Sequence, residues 1–99
     1  MLQISKTIEN GTALLQLDGR LDMISAPQLD AEIKASIDGV QELILDFAEL
    51  TYISSAGLRV IMTAYEEMEK RGQMKLIHVS GVVMEVLEIT RITDIISIE

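Results

Sequence analysis

Apolar residues in this chain change rhythm repeatedly between a period of two and a period of three to four. That alternation admits few architectures. Ala13, Leu15 and Leu17 alternate as on one face of a strand, and Leu29, Ile33 and Ile37 recur every fourth residue as on one face of a helix. Leu43-Ile44-Leu45 is apolar at consecutive positions, which suits a central strand covered on both faces. Leu58, Ile61, Met62, Tyr65 and Met68 form a second helical stripe, and Val83, Val86 and Leu87 a third. With strands at Leu2–Ile8, Thr12–Asp18, Met74–Val79 and Ile95–Ile98, the predicted order is β-β-α-β-α-β-α-β. A single α/β domain follows, with a mixed, mostly parallel sheet of about five strands, three helices and right-handed crossovers.

Turn and cap residues set the boundaries. Glu9-Asn10-Gly11 predicts a hairpin turn. Ser25 and Gln28 have capping-box spacing, with Pro27 in the first turn and Gly39 placed as the left-handed C′ residue. The second helix is predicted from Ser55 to Arg71, with Glu66–Lys70 and Glu67–Arg71 pairs on its outer face and Gly72 at its end. Ser80 is placed to cap the third.

Composition removes several classes of function. A chain of 99 residues that is 48% hydrophobic and 3% aromatic predicts one aliphatic core rather than disorder. A net charge of −8 argues against nucleic acid and anionic membranes, both of which call for clustered Lys and Arg. With no cysteine there is no disulfide or thiolate chemistry, which suits a cytoplasmic protein. The start, Met1-Leu2-Gln3-Ile4-Ser5-Lys6, lacks the continuous apolar run of a signal peptide.

The junction Ile53-Ser54-Ser55-Ala56-Gly57-Leu58 joins a strand pattern to a helix pattern. With Ser54 as N-cap, Ile53 and Leu58 fall at N′ and N4, the hydrophobic-staple positions; with Ser55 as N-cap no staple forms. Ser54 is therefore the expected cap, and Ser55 falls at N1 with its hydroxyl free. Gly57 weakens a helix by up to about 1 kcal/mol relative to Ala, which points to a need for access or close packing. On local chemistry alone, capping is a sufficient account of the serine pair.

The segment Tyr52-Ile53-Ser54-Ser55-Ala56-Gly57-Leu58-Arg59 and the turn Gly19-Arg20-Leu21-Asp22 resemble the STAS-domain anti-sigma factor antagonists, over essentially the whole chain. The resemblance implies that Ser55 is phosphorylated by an anti-sigma factor that is also a serine kinase. It further implies that a serine phosphatase of the metal-dependent type reverses this, and that the unphosphorylated form binds the kinase and releases its client. Ser54 stands where the family usually has Asp, and Ala56 where it has a second hydroxyl residue. The chain also ends at Glu99, where many members continue into a final helix.

Asp22, Ser54, Ser55, Ala56, Gly57 and Arg59 are the implied partner-binding residues, with Tyr52 a further candidate at the flank. Asp22 has turn or cap chemistry as its alternative role, and Arg59 that of a solvated helix exterior. Asp46, expected to end the central strand, is assigned to support of the acceptor loop, with hydrogen bonding to loop backbone N–H groups as its purely structural alternative.

Other chemistries are poorly served. A nucleophile elbow needs Gly-x-Ser-x-Gly, and the leading Gly is missing at Ile53. His78 is the only histidine, which gives neither a triad nor a metal site. No Gly-rich loop with Lys is present for nucleotide, so neither a cofactor nor an enzyme activity is expected. A STAS module that only scaffolds a complex is the competing function.

Overall fold

The computed structural model describes residues 1–99. Strands β1 (Leu2–Glu9) and β2 (Thr12–Leu21) precede helix α1 (Ala26–Ser36). They are followed by β3 (Glu42–Ile53), α2 (Ser55–Glu69), β4 (Gln73–Ile77), α3 (Gly81–Ile89), a short 3₁₀ turn (Ile92–Asp94) and β5 (Ser97–Ile98). The sheet order is β1-β2-β3-β4-β5, with β1 antiparallel to β2 and the other pairs parallel. This is the mixed, mostly parallel five-stranded sheet with three helices read from the sequence.

The hairpin turns at Asn10 and Gly11, with φ of 50° and 80°, so that Glu9 faces Thr12. Two left-handed residues make a type I′ turn, whose twist matches that of the flanking strands. Register places Ala13, Leu15, Leu17, Leu43, Leu45, Met74 and Leu76 on one sheet face, all buried. Right-handed crossovers between neighbouring parallel strands put all three helices on that face, where Leu29, Ile33, Ile61, Met68, Val83 and Leu87 close the core. The opposite face carries Gln16, Asp18, Glu42 and Lys75 and is largely open. β3 is therefore not covered on both faces as expected: Ile44 on the open side is only half-buried.

The main departure is the length of β3. It does not end at Asp46 but runs on to Ile53. Two β-bulges explain why. Gln16 pairs with Asp46, yet Asp18 pairs with Glu49; Gly19 pairs with Leu50, yet Arg20 pairs with Tyr52. Each time β3 inserts one extra residue, which shifts the buried positions to Phe47, Leu50 and Ile53, three apart instead of two. β4 follows β3 only as far as Asp46, so the final stretch of β3 is held in the sheet by β2 alone.

Smaller corrections concern ends and caps. Gly19, Arg20 and Leu21 belong to β2 rather than to a turn. α1 closes at Ile37, which puts left-handed Gly39 one position beyond C′. α2 stops at Glu69, and Lys70 pairs with Glu67 rather than Glu66, whereas the Glu67–Arg71 pair forms at 3.9 Å. β4 is shorter than expected at its C-terminal end, β5 is only two residues, and Ser80 holds the N-cap position of α3 without a side-chain cap bond. Gly72 is required for a different reason than helix termination by a left-handed residue. A Cβ there would collide with the Gln41 carbonyl as β4 enters the sheet.

Candidate functional site

Leu21 and Ile53 are the last register partners of β2 and β3, so the loops that follow leave the sheet side by side. The Ser54 backbone N–H donates to the Leu21 carbonyl at 2.9 Å and locks the two exits together. This joint places Asp22 and the serine pair on one rim, as the sequence predicted.

On the α2 side, Ser54 is the N-cap, with extended backbone (φ −101°, ψ 173°), and its Oγ accepts from the Gly57 N–H at 3.2 Å. Ile53 is buried and Leu58 packs against the same core, as the staple requires. Ser55 opens the helix and is exposed, with its hydroxyl turned to no partner in the fold. Ala56 is half-buried and Arg59 exposed. Gly57 is buried against β2: a Cβ would lie 2.6 Å from Leu21 Cγ and 3.1 Å from the Leu21 carbonyl. Its glycine is explained by close packing of α2 on Leu21, and it faces the core, not a partner.

On the β2 side, Asp22 Oδ1 accepts from the N–H groups of Ile24 and Ser25, each at 3.0 Å. Ser25 is buried and does not form the expected capping box. Its Oγ donates to the Arg20 carbonyl at 2.8 Å and accepts from the Asp22 N–H at 2.9 Å, while Gln28 Nε2 reaches the Leu2 carbonyl instead. The Ser25 backbone N–H does most to hold the Asp22 carboxyl below its ordinary value, helped by the Ser25 hydroxyl and the Ile24 N–H. Asp22 is thus ionised and clamped. The rigid loop it makes projects Met23 and Ile24 into solvent at 76% and 85% exposure. Met23 continues into a groove of 410 Å³ between α1 and α2, with Ala56, Arg59 and Val60 on its α2 wall.

Asp46 lies elsewhere. It is buried in mid-β3 on the sheet, and its Oδ1 accepts from the Ala48 N–H at 2.9 Å and meets His78 Nδ1 at 2.9 Å. Burial alone would raise its pKa, but the Ala48 N–H and the His78 ring outweigh it and hold the carboxyl below its ordinary value. Asp46 supports the first β3 bulge, not the loop carrying Ser54 and Ser55.

Sequence reasoning missed Ser25 as the clasp of the Asp22 loop, the exposed Met23–Ile24 tip, and the Arg20 guanidinium stacked 4.1 Å over the Tyr52 ring. The Arg20–Tyr52 contact was hidden because their pairing depends on the second bulge. The Met23–Ile24 tip carried a legible signal, two apolar residues inside a predicted loop.

A STAS domain profile matches residues 3–99. BtrV of Bordetella bronchiseptica, which bears the name of an anti-sigma factor antagonist, is 36% identical over 83 residues, 82% of this chain and 72% of that protein. An anti-sigma factor antagonist from Mycobacterium paratuberculosis superposes with a TM-score of 0.91 at 19% identity, over 99% of this chain and 85% of that one. The Bacillus cell fate determinant SpoIIAA, solved in its phosphorylated form, superposes at 0.76 with 22% identity, over 100% of this chain and 91% of that one.

Proposed function

The chain belongs to the STAS-domain family, and from that premise we propose that it is an anti-sigma factor antagonist acting by partner switching. The unphosphorylated chain binds an anti-sigma factor serine kinase and releases that kinase's client. Transfer of the ATP γ-phosphoryl to Ser55 Oγ forms a phosphate ester, releases ADP and a proton, and ends the binding. A metal-dependent serine phosphatase restores the hydroxyl by hydrolysis. The cytoplasm is the location we propose for this exchange. No helix of the chain is long and apolar enough to cross a membrane.

The observation that carries this reading is the division of labour within the serine pair. Ser54 Oγ is occupied by the Gly57 N–H, whereas Ser55 is exposed one residue later and makes no bond that its modification would break. A phosphate adds about −1.5 to −2 charges, and the first turn of α2 presents N–H groups that stabilise them. The fold therefore keeps its structure when Ser55 is modified, and the partner is refused by charge and bulk. The chain acts as a binding module rather than an enzyme; its one histidine is engaged with Asp46 in a structural contact.

Incubation with the kinase and ATP should add one phosphate, about 80 Da, to the unaltered chain and none to Ser55→Ala. A scaffold that does not switch would gain no mass in either.

A further inference from the structure

Every Lys and Arg in this chain forms an ion pair with a carboxylate except Arg59. In a chain with 16 acidic and 8 basic residues, one free guanidinium stands out. Its helical neighbours explain why it is free: the positions three and four residues away are Ser55, Ala56, Met62 and Thr63, none of them acidic. Arg59 lines the groove with Ala56 and Val60 of α2 and with Asp30 and Lys34 of α1, and the Asp30 carboxylate there is already paired with Lys34 at 2.8 Å.

Ser55 precedes Arg59 by four residues on α2, and both are exposed. Side chains so spaced lie one above the other, and an anion N-terminal to a cation is the favoured order. Guanidinium also matches phosphate oxygens with two parallel hydrogen bonds. We propose that Arg59 is the receptor for a phosphate on Ser55, so that modification both adds negative charge and withdraws the one unpaired guanidinium from the docking rim. The proposal rests on the reading of Ser55 as the acceptor. In the unmodified chain Arg59 stays available beside Met23 and Ala56.

The test uses the full chain with phosphoserine incorporated at position 55 during translation, so no kinase is needed. The ³¹P shift is followed through the second phosphate ionisation, ordinarily near pKa ~6. Relative to Arg59→Gln, the unaltered chain should show that ionisation at least about 0.3 pH unit lower, roughly a twofold change in proton affinity. Arg59→Lys should fall between them, and Lys70→Gln, at the far end of α2, should match the unaltered chain. The difference should shrink in ~1 M salt. Equal ionisation in the unaltered chain and Arg59→Gln, with matching amide spectra, would overturn the proposal. If instead the ³¹P difference appears but no kinase modifies Ser55, the clasp stands and the partner-switching reading fails.

Discussion

Ser54 and Leu21 are joined by a 2.9 Å backbone hydrogen bond from the Ser54 N–H to the Leu21 carbonyl, at the point where β2 and β3 both leave the sheet. Leu21 also packs under Gly57. One residue of β2 therefore sets the position of both the cap and the first turn of α2, and with them the exposed Ser55.

The serine pair should separate cleanly by mutation. Ser54→Ala removes the bond to the Gly57 N–H and should cost about 1 kcal/mol, a drop in Tm of about 4–8 °C for a domain of this size. Ser55→Ala should change stability by less than about 0.5 kcal/mol. Urea and thermal unfolding of both variants would check this.

Two glycines should fail for steric reasons. Gly57→Ala gains helix propensity of up to about 1 kcal/mol but drives a methyl into Leu21, so a net loss of about 1–2 kcal/mol is expected. At Gly72 the obstacle is the Gln41 backbone rather than a side chain, and that backbone carbonyl accepts the Gln73 N–H at 2.9 Å. Gly72→Ala should therefore be the more damaging of the two by denaturant midpoint.

Stability should depend on pH through Asp46. Its folded pKa lies below the ordinary 3.8, so its stabilisation is fully present above that value and is lost as pH falls through the folded value. Asp46→Asn should lower stability at pH 7 by about 1–3 kcal/mol, because the Ala48 N–H and His78 lose a charged acceptor. The gap between variant and unaltered chain should narrow in acid below about pH 4. Urea titrations at pH 7 and pH 3 test the sign.

Ser25→Ala should loosen the rim without touching Ser55. It deletes the hydroxyl that bridges the Arg20 carbonyl and the Asp22 N–H, at a cost of about 1–3 kcal/mol. Amide exchange should quicken at Asp22 and Ser25, while the Gly57 amide, held by Ser54, should stay protected.

Most of the fold was legible because strand and helix rhythms are clean in Ala13–Leu17, Leu29–Ile37 and Leu58–Met68. The serine pair was legible too, because capping and stapling depend only on residues near in sequence. What was hidden required tertiary pairing. The bulges gave Phe47, Leu50 and Ile53 a spacing of three, which no strand template matches, so β3 seemed to stop at Asp46. Ser25 and Gln28 have capping-box spacing, but β1 and the Asp22 loop offered their side chains better-placed backbone partners. Local propensity lost there to contacts that sequence spacing does not encode.

The most direct test is the affinity of the proposed partner, an anti-sigma factor kinase, for this chain with and without phosphate on Ser55, measured by titration calorimetry. Partner switching predicts tight binding of the unmodified chain and binding weakened by about 150-fold, near 3 kcal/mol, for the phosphorylated one. Equal affinity for the two forms would contradict it and leave a scaffold in its place.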